Sequence, residues 1–397
     1  MNSEVERLVI VGASLAGLRA AQAARKAGFE GELIVVGDER HMPYTRPPLS
    51  KELLAGSQTS EDTALRLLKL EADWRLGVPA GRLDRAEHVL ILADGTHLAY
   101  DRVIIATGCR ARRWRGPGAE LDGVHTLRSL DDSLALKRDL QAGRRLVIVG
   151  AGFIGCEVAA SARKLGVEVT VVDIAPHPML PLGAELGARC ARMHERHGVQ
   201  LRCGVGIEAI LGRESVQAVA LSDGFECEAD VVLLALGAEP NVEWLQGAGI
   251  EIRAGVECDA TLTSTVDPDV LAAGDLAAWP QPLAGGQAMR IEHWTVAAEH
   301  GTVAGRNALL HPEAREPHTS PPYFWSDQFD TKIQSVGLPM LAERLDVVEE
   351  DPEHGRLLAT GERQGRLIAA VGFNNARRLN DYRTELADTP DGAGAAR

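Results

Sequence analysis

Near the start of the chain, Leu8-Val9-Ile10-Val11 form an unbroken apolar run of the kind that makes a strand buried on both faces of a parallel sheet. Gly12-Ala13-Ser14-Leu15-Ala16-Gly17 follows, then an alanine-rich helical stretch from Ala16 to Lys26, Gly28 as its stop, and a second apolar run from Leu33 to Val36. This order predicts strand, helix, strand. It returns later: Leu146 to Val149, then Gly150-Ala151-Gly152-Phe153-Ile154-Gly155, a helix to Leu165, Gly166 as stop, and a strand over Val167 to Val172. A third texture begins near residue 319, where Lys332 to Val336 alternate and Leu345 to Val348 and Leu367 to Val371 are apolar, predicting a small sheet with flanking helices.

Both loops follow the G-x-G-x-x-G arrangement of Rossmann-like units, in which helix N-terminal amides hold a pyrophosphate. Gly12 permits the tight turn and Gly17 lets helix and strand pack closely, while Ser14 occupies the middle slot. Gly150, Gly152 and Gly155 complete the pattern in the second unit. Asp173 stands 23 residues after Gly150 and Asp38 stands 26 after Gly12, near the offset at which a carboxylate accepts ribose hydroxyls. Asp173 would repel a 2′-phosphate, and no Arg or Lys lies between Ile174 and Pro178 to receive one, so NAD is favoured over NADP. Either loop alone is also what a plain strand-to-helix turn looks like. Two in matching context point to two dinucleotides.

A length of 397 residues suggests two to three domains, and the formal net charge of -14 disfavours nucleic acid and anionic lipid as partners. No apolar run reaches the length of a membrane span, and a cytoplasmic protein is expected. Cys109, Cys156, Cys190, Cys203, Cys227 and Cys258 are scattered singly, so no cysteine pair is offered to receive electrons. Cys190, His194 and His197 share a helical spacing compatible with a metal, but without an evident fourth ligand an ordinary helix face is the expectation and no metal is assigned.

Ala106-Thr107-Gly108, Leu236-Gly237-Ala238-Glu239-Pro240-Asn241 and Thr263 to Asp275, ending in Gly274-Asp275, resemble the two-dinucleotide flavoprotein superfamily. Pro43-Tyr44-Thr45-Arg46-Pro47-Pro48-Leu49-Ser50-Lys51 and Phe324-Trp325-Ser326-Asp327-Gln328 are similar to stretches of the NADH-dependent ferredoxin reductases of bacterial oxygenase systems, the putidaredoxin reductase type. Taken alone, Pro47-Pro48 is a rigid turn, Lys51 a solvated lysine, Asp275 a helix cap, and Trp294 and Trp325 are packing residues.

The resemblance implies a ferredoxin–NAD(+) reductase with FAD on the first unit and NADH on the second. It places Ala16, Asp38, Lys51, Ala80, Arg128, Asp275 and Trp294 against FAD, with Asp275 reaching it from the start of a helix. Arg46, Thr107, Gly108, Gly274 and Gly237 fall in its cofactor-binding segments, and Trp294 and Trp325 flank the flavin ring. Glu157, with Ile154 just before it, faces the nicotinamide and pairs with Lys51. The implied architecture is α/β: an FAD domain split over 1–110 and 243–318, an NAD domain over 111–242, and a small α+β domain over 319–397. The implied acceptor is a small, acidic 2Fe-2S ferredoxin serving a cytochrome P450 or Rieske oxygenase, with Arg290, Arg377, Arg378 and Arg383 as a basic docking surface on a monomer or weak homodimer. The rival readings are an NADH oxidase on this scaffold, which needs a redox cysteine that residues 38 to 60 lack, and a flavin-bound, redox-switched interaction protein resembling apoptosis-inducing factors.

Overall fold

In the computed structural model, which describes residues 5–387, each predicted strand–helix–strand unit opens a sheet, the second parallel throughout and the first parallel except for the antiparallel edge strand 263–264. The first sheet runs, in spatial order, 263–264, 267–272, 102–105, 7–11, 32–37 and 73–76; the second runs 200–203, 168–173, 145–149, 231–234 and 124–126. Strands Arg7–Val11 and Arg145–Val149 occupy equivalent central places, which explains their unbroken apolar sequences: Leu8 to Ile10 and Ile148 have no exposed surface.

The turn after each central strand is built alike. Gly12 has φ +129° and Gly150 φ +113°, and a Cβ there would overlap the carbonyl oxygen of Ala106 or of Ala235 respectively. Each glycine amide donates to the neighbouring strand, Gly12 to Val36 at 2.7 Å and Gly150 to Val172 at 2.8 Å. Gly17 and Gly155 lie one helical turn inside, where a side chain would strike the Gly12 or Gly150 carbonyl. They bring helix onto strand and do not line the cavity described below, so their part in nucleotide binding is indirect.

Strand Asp267–Ala272 pairs with Arg102–Ile105, so a segment far along the chain completes the first sheet. Helix Trp294–Asn307 lies on helix Leu15–Lys26, and Gly301 and Gly305 leave no room for a Cβ above the Ala16 and Ala20 carbonyls. The chain crosses between the two sheets on a ribbon in which Cys109–Ala111 pairs antiparallel with Ala238–Pro240, reinforced by Arg110 on Glu239 at 3.0 Å. The tail is a five-stranded antiparallel sheet in the order 323–328, 331–337, 366–373, 356–363, 344–351. Among the described residues one α-helix, Ala376–Ala387, packs on it where flanking helices were expected, because most of residues 323–373 is spent on strand pairing. Phe324, Ile333, Leu357 and Phe373 of this sheet share a core with Cys156, Leu182, Leu186 and Cys190 of the second unit.

Candidate functional site

A long groove follows the carboxyl ends of the first sheet's strands, where α/β folds place their ligands. Gly12, Asp38 and Ala80 line one end; Ser14, Arg46, Thr107 and Arg128 line the middle. Ala16, Lys51, Gly108, Ile154, Glu157, Gly274, Asp275, Trp294 and Trp325 line the other end. Three helices begin beside it: Leu15–Lys26 after Ser14, Phe153–Lys164 after Gly152 and Trp294–Asn307 after His293. None has a side-chain cap or an acid in its first turn, so their leading amides remain suited to a phosphate group. His293 adds a covered Nδ1 without a partner, and burial pushes its imidazole down to about 4. Uncapped helix ends, an acid at one end and two tryptophans at the other fit an extended dinucleotide that ends in an aromatic ring.

Asp275 sits on a turn between strands Asp267–Ala272 and Ala277–Gln281, which corrects the expected helix start. The segment after it pairs with Val256–Glu257 and Gln287–Met289, so its amides are committed to a sheet. The Asp275 carboxylate accepts from Arg128, whose Nε also donates to the Cys109 carbonyl at 3.0 Å. Arg290 is likewise corrected: it is largely covered, its side chain 15% exposed and turned inward. Its guanidinium donates to the Asp275 carbonyl at 2.6 Å and pairs with Glu292 at 2.9 Å, bracing the turn from behind. Arg46 spends its donors on Glu39 at 2.6 Å and the Arg128 carbonyl at 2.7 Å, shaping the groove wall.

Glu157, on helix Phe153–Lys164, is the junction of the molecule. Its side chain is 5% exposed, and its Oε2 accepts from Lys51 Nζ at 2.9 Å and Ser50 Oγ at 2.5 Å, while Oε1 accepts from Ser326 Oγ at 2.8 Å. The first unit, the second unit and the C-terminal sheet thus each supply part of one hydrogen-bonded cluster. Family resemblance pairs Lys51 with Glu157 and leaves Ser50 and Ser326 unassigned, although they lie within Pro43 to Lys51 and Phe324 to Gln328. Trp294 and Trp325 meet edge to face, centroids 5.9 Å apart, and the Trp294 indole donates to Thr45 at 3.2 Å.

In the second unit Gly152 has open space where a Cβ would stand, and Gly237, with φ +87°, is equally open. Asp173 ends its strand with Oδ2 accepting from the Ala151 amide at 2.6 Å and Oδ1 from the Ala175 amide at 2.7 Å, which ties it to the glycine loop. From there Ile154 and Glu157 lead into the groove, so a nucleotide on this loop would present its far end to the tryptophans.

The Cys190, His194 and His197 trio does not converge. His194 bonds Gln328, His197 bonds the Met193 carbonyl and stacks on Phe329, and among the described residues no cluster of His, Cys, Asp or Glu is arranged for a metal. Burial holds His194 and His300, both without exposed surface, below the ordinary histidine range. The unfolded chain protonates these imidazoles near pH 6.5 and the folded chain does not, so stability falls as pH drops below that value. Each adds a slope of about 1.4 kcal/mol per pH unit until its folded value is reached. Urea titrations of the holoenzyme between pH 7 and 5 should show it, and His300→Phe should flatten the curve.

The family model described as pyridine nucleotide-disulphide oxidoreductase matches residues 6–301. The chain belongs to this family. Its members carry FAD and use NAD(H), in agreement with the groove and the second loop. A second model, reductase C-terminal, matches residues 323–391, the segment of the antiparallel sheet. The chain is 40% identical over 389 residues to the biphenyl dioxygenase system ferredoxin–NAD(+) reductase component of Paraburkholderia xenovorans (strain LB400), covering 97% of this chain and 94% of the relative. The covalent putidaredoxin reductase–putidaredoxin complex contains a similar fold, with TM-score 0.91 and 30% identity over 98% of this chain and 94% of that one. The ferredoxin reductase for the CYP199A2 system from Rhodopseudomonas palustris matches with TM-score 0.88 and 32% identity, over 95% and 92% of the two chains. No helix among the described residues is long and apolar enough to cross a membrane.

Proposed function

We propose that this oxidoreductase passes electrons from NADH through FAD to a 2Fe-2S ferredoxin that feeds a cytochrome P450 or Rieske oxygenase. The observation that carries the reading is the Glu157 junction, where the second nucleotide loop reaches the tryptophan end of the groove beside a buried Lys51. Bound FAD supplies the chemistry, accepting a hydride and releasing electrons singly. The chain's own residues bind, orient and exclude water. Gly12, Ser14, Asp38 and Ala80 hold the adenosine and pyrophosphate end, Arg128 and Asp275 the middle, and Trp294 and Trp325 the ring. Gly150, Gly152, Asp173 and Gly237 hold NADH, and Lys51 and Glu157 align its carboxamide. The domain boundaries that go with this reading are 1–110 and 243–318 for FAD, 111–242 for NAD and 319–397 for the C-terminal domain.

The partner is an acidic ferredoxin and the protein a monomer or weak homodimer. Of the four arginines expected at its surface, Arg377, Arg378 and Arg383 are exposed on helix Ala376–Ala387, where Arg378 pairs with Glu349 at 2.5 Å and Arg383 with Glu299 at 3.5 Å. The six cysteines are free, in keeping with a reducing cytoplasm.

Cys109 is the cysteine that lines the groove, and burial pushes its thiol up to about 12. It stays protonated at working pH and is no peroxide-reducing thiolate, which disfavours the oxidase reading. Iodoacetamide at pH 8 should leave Cys109 unmodified in the folded holoenzyme by peptide mass spectrometry. For the main reading, NADH should bleach the flavin rapidly, and a 2Fe-2S ferredoxin should reoxidise it in a cytochrome c coupled assay. Slow bleaching, or reoxidation by oxygen alone, would favour the redox-switch or oxidase reading instead.

A further inference from the structure

Beyond Lys51 and Ser50, Glu157 is held by a hydrogen-bonded chain that no nucleotide contact explains. Ser326 Oγ, 2.8 Å from Glu157 Oε1, accepts from Gln328 Nε2 at 3.1 Å, and Gln328 Oε1 lies 2.9 Å from His194 Nε2. Ser326, Gln328 and His194 have no exposed surface, and Glu157 has 4%. His194 belongs to helix Gly183–Arg196 of the second unit, whereas Ser326 and Gln328 share strand Tyr323–Gln328 of the C-terminal sheet.

Chemistry gives this chain one direction. An amide oxygen only accepts, so His194 carries its proton on Nε2 and donates to Gln328. The Gln328 amide nitrogen then donates to Ser326, which leaves the Ser326 hydroxyl proton for the Glu157 carboxylate. Turning the amide over would move the His194 proton to Nδ1, which is buried with no partner, and would strip Glu157 Oε1 of its donor. Phe329 packs edge to face on His194 at 5.2 Å, and burial keeps the imidazole neutral.

We infer that His194 and Gln328 are positioning residues for the NADH step: they lock Ser326 as a donor and so hold Glu157 in one rotation, with Oε2 turned to Lys51. The inference rests on the reading of Glu157 as the residue that aligns the nicotinamide. His194 acts at a distance, touching neither nucleotide, and its effect reaches the reaction through Ser326 alone.

The test uses FAD-loaded enzyme and stopped-flow reduction at saturating NADH, with ferricyanide reoxidation of dithionite-reduced enzyme as the second readout. His194→Phe and Ser326→Ala should each slow reduction by about tenfold, the worth of one hydrogen bond to a charged group. Reoxidation should be unchanged. Because the residues act in series, the double variant should be no slower than Ser326→Ala alone. His194→Gln, which restores a neutral donor at similar reach, should recover most of the rate. Wild-type reduction by His194→Phe, or losses that multiply in the double variant, would overturn the inference. If His194→Phe does not fold, Gln328→Met makes the same comparison. A Glu157→Gln enzyme that reduces normally defeats the underlying reading, whereas a slow Glu157→Gln beside a fast His194→Phe defeats the relay only.

Discussion

Replacing Glu157 with alanine is expected to slow reduction of the flavin by NADH about a hundredfold and to destabilise the holoenzyme by about 3–5 kcal/mol. The two effects have separate causes. Lys51 is 11% exposed, so without Glu157 its ammonium would be left buried without a counter-charge. Ser50 and Ser326 would lose their acceptor at the same time. The rate effect comes from orientation, since a nicotinamide displaced by about 1 Å is poorly placed for hydride transfer. A Lys51→Met/Glu157→Leu enzyme separates them. Its unfolding midpoint in urea should recover much of the loss, because no charge remains to be buried, while NADH reduction stays slow. Full recovery is not expected, since two buried hydroxyls still lack an acceptor at about 1 kcal/mol or more each. Normal NADH reduction in either variant would remove Glu157 from the reaction.

The second large effect contrasts two glycines. Gly12→Ala should yield protein that does not retain FAD, read from the flavin-to-protein absorbance ratio after desalting. At φ +129° a side chain is strained, and its Cβ would overlap the Ala106 carbonyl oxygen. Ala106 cannot withdraw, because its amide is bonded to Val11 at 2.7 Å within the central pairing of the sheet. The strain alone amounts to about 1–3 kcal/mol, before the clash is counted. Gly152→Ser should behave differently. Nothing stands within 4 Å of its added Cβ, and the first unit already carries serine at the equivalent place, Ser14. The variant should fold and keep its FAD, with the Michaelis constant for NADH raised about tenfold, or about 1.4 kcal/mol, as the side chain enters the path of the pyrophosphate. An unchanged constant would mean that the second loop does not hold NADH.

The two nucleotide units were readable because everything that defines them is local. An apolar run, glycines at fixed offsets and a terminal acid all lie within about 30 residues, and the strands observed at Arg7–Val11, Glu32–Gly37, Arg145–Val149 and Glu168–Asp173 match the expected ones to within a residue or two. The Lys51–Glu157 pair came from family likeness, and no spacing rule joins residues 106 apart. Asp275 and Arg290 were misplaced for a related reason. A Gly-Asp pair caps a helix or closes a turn equally well, and only the pairing of Ala277–Gln281 with two distant strands decides which. An arginine's direction depends in the same way on what packs against it.

Sequence alone therefore determined the class of fold, the two glycine loops, the preference for NAD and the lack of a cysteine pair, since each follows from neighbours along the chain. The tertiary structure decided what surrounds Glu157. Ser50 and Ser326 meet its carboxylate from positions 107 and 169 residues away, and Gln328 is reached by His194 across 134. Such convergence is set by how two sheets and a third domain pack, because buried polar groups must find partners wherever the folded chain brings them.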